Sequence, residues 1–157
     1  MTPETDAARP LSDRIESAMR DAMRARDEQR TQTLRMAMAA AHNLKIARRR
    51  DLTDDEVVDV LTKQVKQRRE SIEMYRAAGR EERAQAEEAE AAILAEFLPE
   101  QLSEAEIEAL ATAAIAELGA SSPGDMGRVM GYLSPQTKGR ADGRMVSEVV
   151  RRLLAGS

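Results

Sequence analysis

A chain of 157 residues with a formal net charge of −4 suits one or two small domains and does not suggest a general nucleic-acid binder, although a local basic patch remains compatible with it. With no cysteine and a single histidine, His42, the sequence excludes disulfides, thiolate metal sites and histidine clusters. Phe97, Tyr75 and Tyr132 are its only aromatics, so the core has to be built from many small aliphatic contacts.

No apolar run approaches the roughly 20 residues that a membrane span needs. Met1 to Arg9 lacks the apolar stretch of a secretion signal, and the chain is expected to be cytoplasmic. Met1 to Pro10 is polar and expected to be loose. From there the helix period dominates and strand alternation is missing. Leu11, Ile15, Ala18, Met19, Ala22 and Met23 form the stripe of a first helix reaching about Arg26. Leu34, Ala37, Met38, Ala41 and Leu44 mark a second to about Arg49, with cations at the end that the helix dipole favours. Thr53 to Glu56 is a capping box, opening a third helix striped by Val57, Leu61, Val65, Ile72 and Tyr75 and stopped at Gly79. A fourth runs from about Glu81 to Leu98, ended by Pro99. Residues 81–100 hold seven acids against one base, Arg83.

Ser103 and Glu106 form a second capping box, which starts a clean stripe of Ile107, Leu110, Ala111, Ala114, Ile115 and Leu118, stopped by Gly119. Pro123 stands at the first position of a short helix whose inward face is Met126, Val129, Met130 and Leu133, and Pro135 is expected to close it. A final helix carries Val146, Val149, Val150, Leu153 and Leu154. The expected fold is all-α: an N-terminal four-helix region over residues 1–98, followed by a small three-helix C-terminal unit over 99–157.

Three blocks in the second half, Leu98-Pro99-Glu100-Gln101-Leu102, Asp125 to Gly131 and Thr137 to Gly143, resemble the bacterial GatB/YqeY family. Upstream, Lys66 to Ile72 and Ala78-Gly79-Arg80 look like its YqeY-specific N-terminal half. The resemblance implies a C-terminal part similar to the helical tail of the GatB component of the glutamine-dependent Asp-tRNA/Glu-tRNA amidotransferase. That tail contacts tRNA while a separate domain does the chemistry, and nothing in residues 1–98 resembles such a domain. The family link is to a carbon–nitrogen ligase with glutamine as amido-N-donor. The resemblance therefore points to a non-catalytic module that contacts tRNA, or to an accessory of that activity beside amidotransferase or aminoacylation proteins. A protein scaffold is the third reading. No catalytic residues, cofactor or metal are expected.

Residues 123–157 hold six bases against three acids, a local balance of +3 in an acidic chain and the footprint expected of a phosphate-binding surface. Arg128, Lys138, Arg140 and Arg144 are the candidate tRNA contacts. An ordinary solvated helix face is the alternative. Gly127 and Gly131, four apart, share a helix face and, with Gly139 and Gly143, are candidates for close backbone approach, either of a crossing helix or of RNA. Asp142 is expected to cap the last helix, and Lys138-Gly139-Arg140 lacks P-loop spacing. Arg68 falls within the apolar stripe of the third helix and is a candidate for a structural ion pair. The acids of 81–100 are expected to pair with bases at 45–50 and 63–69.

Overall fold

The computed structural model describes residues 9–156, so most of the polar segment Met1–Pro10 lies outside the described residues. The described chain is all-helical, and it divides into two compact units, Met1–Leu98 and Pro99–Ser157.

The first unit holds α1 (Leu11–Arg24), α2 (Glu28–Arg48), α3 (Asp54–Ala77) and α4 (Glu81–Ala95). The boundaries follow local chemistry. The Asp27 carboxylate accepts from the Arg30 amide at 3.0 Å and starts α2, directly after Arg26 turns the chain with a φ of 57°. Arg49, also left-handed, ends α2. The Thr53–Glu56 capping box starts α3, with the Glu56 amide donating to Thr53 Oγ1 and the Thr53 amide to Glu56 Oε1. The Asp54 carboxylate accepts from the Leu11 amide at 2.9 Å, tying the start of α1 to the start of α3. Leu11, Ile15, Leu34, Ala37, Val57, Leu61, Val65 and Leu94 form the core.

That core reaches only part of the way along the α3–α4 pair. Between Lys66 and Glu90 the buried apolar side chains are Ile72 and Ala84. Charge does the rest: Arg76 pairs with Glu81 and Glu88, and Arg83 lies 5.9 Å from the Tyr75 ring centroid. α4 acids therefore pair with Arg68 and Arg76 of α3 and, through Glu96, with Arg30 of α2. The bases at 45–50 do not reach α4. Lys45 pairs with Asp51, and Arg48 and Arg50 with Glu56, because the turn into α3 brings those acids to the end of α2.

The second unit holds α5 (Glu104–Leu118), a 3₁₀ turn (Pro123–Asp125) running directly into α6 (Met126–Thr137), and α7 (Gly143–Ala155). Ser103 and Glu106 form the capping box of α5, and Gly119 closes it with a φ of 62°. The core is wholly aliphatic: Ile107, Ala111, Ala114, Val129, Leu133, Val146, Val149, Val150 and Leu154.

One expected boundary is corrected. Pro135 lies inside α6, which runs on to Thr137. The proline removes one hydrogen bond, to the Gly131 carbonyl, in the last turn only. Leu133 and Thr137, four apart and both buried, keep that turn packed, and the Lys138 amide still donates to the Ser134 carbonyl at 3.0 Å.

Candidate functional site

The Thr137–Gly143 block begins as a clasp. Gly139 is buried and turns with a φ of 74°, a conformation that costs other residues about 1–2 kcal/mol. Its carbonyl accepts from Gln101 Nε2 at 2.8 Å, and the same amide group donates to the Pro99 carbonyl. The Arg140 carbonyl accepts from the Leu102 amide at 2.8 Å, and Arg140 Nε donates to the Glu100 carbonyl at 3.2 Å. Two sequence blocks about forty residues apart are thus pinned to each other by three hydrogen bonds, those of Gln101, Leu102 and Arg140. This explains why a non-helical strip holds its shape.

Asp142 then caps α7, its carboxylate accepting from the Arg144 amide at 2.9 Å. At the other end of α6, Asp125 accepts from the amides of Ser121 and Ser122. Those backbone donors, Ser121 first, hold its carboxyl below the usual range, with help from Arg128. Two of the three acids of residues 123–157 are therefore occupied with backbone amides.

Arg128, Lys138 and Arg144 are exposed, while Arg140 is half-buried by its role in the clasp. Arg128 touches Asp125 at 3.2 Å on the surface. Arg151, exposed on α7, joins this set. Its neighbour Arg152 is turned towards α5 and pairs with Glu104 and Glu108. The +3 balance belongs to residues 123–157, the stretch of α6, α7 and the loop between them. Across residues 99–157 there are six bases and eight acids, and four of the acids, Glu104, Glu106, Glu108 and Glu117, lie on α5. The unit is polarised rather than basic.

The expectation of a helix crossing at Gly127 and Gly131 is corrected. Both are exposed, and a Cβ at either would find no neighbouring heavy atom within 4 Å. α6 packs through Val129 and Leu133, which leaves the glycines on the outer face beside Arg128. Gly143, at the start of α7, is likewise open.

Arg68 is placed in the first unit, its side chain 11% exposed. Its guanidinium donates to Glu87 at 3.1 Å and to Glu90, both on α4. One cation facing two carboxylates binds the α3–α4 hairpin together. His42 is exposed on α2, and no group of side chains able to hold a metal occurs among the described residues. Sequence reasoning missed the role of Gln101. The only available signal was its position in the first block of the resemblance.

These features describe an all-helical protein of two small units, the second stapled by a loop clasp and carrying exposed bases on α6, on α7 and in the loop between them. No described helix is long and apolar enough to cross a membrane. The family model described as Yqey-like protein matches residues 12–154, and the chain belongs to that family. It is 28% identical over 144 residues to "Altered inheritance of mitochondria protein 41, mitochondrial" of Pyrenophora tritici-repentis, covering 90% of this chain and 79% of that protein. It is 32% identical over 89 residues to an uncharacterized protein of Schizosaccharomyces pombe, covering 57% of this chain and 72% of that one. Both relatives are fungal.

Proposed function

We propose that this chain is a non-catalytic adaptor whose C-terminal unit contacts tRNA through the outer face of α6 and α7. The observation that carries the reading is the polarisation of that unit. Arg128 on α6, Lys138 in the loop after it, and Arg144 and Arg151 on α7 stand exposed. Asp125 and Asp142, two of the three acids among them, are engaged by backbone amides, while Glu148 on α7 is exposed. Gly127 and Gly131 open the same outer face, so a phosphate backbone meets no side chain there. Arg140 contributes its remaining N–H groups, Nε being held by Glu100. The resemblance of this half to an amidotransferase tail supplies the choice of tRNA. Kinship to a carbon–nitrogen ligase then means accessory work beside that enzyme rather than its chemistry. Such an adaptor needs a compartment holding tRNA, and both the cytoplasm and the mitochondrion in the Pyrenophora relative's name qualify.

The test is fluorescence anisotropy of labelled tRNA with the full chain across a salt series. Three or four phosphate contacts give a log–log slope of about 0.7–0.9 per contact and a dissociation constant in the roughly micromolar-or-weaker range at physiological salt. The double variant Arg128→Ala/Arg144→Ala flattens the slope by about two units. No binding at low salt, or binding indifferent to the double variant, overturns the reading.

A further inference from the structure

We propose that the first unit docks an acidic amphipathic helix of a partner protein in the groove between α2 and α3. This stands apart from the RNA reading, which concerns the other unit.

α2 is apolar on more than one face. Leu34, Ala37 and Met38 point into the core or pack against it, as its amphipathic pattern requires. A second stripe, Met36, Ala39, Asn43, Ile46 and Ala47, follows helical spacing on the opposite side and is exposed. Met36 is 59% exposed and Ile46 61%. Large apolar side chains aligned in this way mark an interaction surface more often than scattered ones do. Beside the stripe lies a groove of about 420 Å³, floored by Ala40, Leu44 and Val60 and walled by Lys63, Gln64 and Gln67. Gln64 holds its wall weakly: Nε2 reaches the Met36 carbonyl only at 3.5 Å, and Oε1 is buried with no partner. A wall so loosely fixed yields to an inserted side chain at low cost.

Charge selects the occupant. From Gln29 to Arg50 the sequence has six bases and no acid. Lys45, Arg48 and Arg50 are matched by Asp51 and Glu56, and Arg30 by Glu96. Arg35 on α2, Arg49 just past its end and Lys63 on α3 form no ion pair among the described residues. The groove's rim carries one carboxylate, Asp59. An apolar track flanked by unmatched cations fits a helix with apolar residues at i, i+3, i+4 and i+7 and Asp or Glu on its flanks. RNA would use the cations but gain nothing from Met36 and Ile46, and a lipid surface would not fill a concave groove.

Three synthetic helical peptides test this, sharing one leucine stripe and carrying Glu, Gln or Lys on the flanks, each titrated into the full chain by calorimetry. The Glu peptide binds, about tenfold tighter than the Gln peptide, and the Lys peptide does not bind. Met36→Glu and Ile46→Glu each weaken the Glu peptide by about tenfold or more, and Ile46→Ser, which leaves the charge unchanged, also weakens it. Both positions are exposed, so circular dichroism of the variants stays that of the parent. Equal binding of the three peptides, or undiminished binding by Ile46→Glu, overturns the proposal. Displacement of the Glu peptide by tRNA overturns it in favour of a nucleic-acid surface. A dimer of the chain that is lost in Ile46→Glu, seen by sedimentation, overturns it in favour of a second copy.

Discussion

The outer part of the α3–α4 pair and the three-helix C-terminal unit solve one problem, holding helices together without an aromatic core, by opposite means. Between Lys66 and Glu90, Ile72 and Ala84 are the buried apolar side chains, and Arg68 and Arg76 each face two glutamates across the helix pair. In the C-terminal unit nine aliphatic side chains form the core, and the irregular segment is fixed by the clasp of Gln101, Leu102 and Arg140. Charge pairing is directional and screened by salt, whereas aliphatic burial is neither. The first region is therefore the one that solution conditions can loosen, and the second is the one fit to present a fixed surface.

The sharpest contrast comes from truncation in the aliphatic core. Leu133 is 1% exposed, and Leu133→Ala costs about 3 kcal/mol by denaturant unfolding, independent of salt. Arg68→Ala is next, at about 2 kcal/mol. This is less than the 3–5 of a fully buried pair, because Glu87 and Glu90 are partly exposed and can rehydrate. Its cost shrinks at high salt, and if the losses for Leu133→Ala and Arg68→Ala respond alike to salt the contrast fails. Gly139→Ala costs about 1–2 kcal/mol for its left-handed backbone alone. Gly131→Ala works the other way: on an open helix face it stabilises by about 0.5–1 kcal/mol, and destabilisation there would mean that a neighbouring element does approach.

The smallest effect is on pH dependence. Arg50, first among several donors, lowers the Glu56 carboxyl to about 2, from an ordinary value near 4.3. A depressed carboxyl stabilises fully above its unfolded value and loses that contribution as pH falls through its folded one. Glu56→Gln should therefore flatten the stability profile between about pH 4.5 and 2 and leave its shape above pH 5 unchanged, as followed by thermal unfolding in a pH series.

Much of this architecture was legible because its signals are local. Capping boxes at Thr53 and Ser103 start α3 and α5, and the stop at Gly119 requires only a left-handed turn. Pro135 misled because helix ends are weighed residue by residue, while the packing of Leu133 and Thr137 overrides one missing hydrogen bond. Gly127 and Gly131 misled for a related reason: spacing puts them on one face but does not say which face is covered. The bases of the C-terminal unit were visible in the sequence. The engagement of Arg140 by Glu100 and of Arg152 by α5 depends on tertiary placement and was not.

The most direct measurement is amide chemical-shift mapping of the full chain titrated with tRNA at low salt. An RNA-contacting C-terminal face gives perturbations concentrated at Gly127, Arg128, Gly131, Lys138 and Arg144, reversed by added salt, with the amides of Met36 to Ile46 unmoved. Perturbations centred on α2 and α3, or none at any residue, would contradict it.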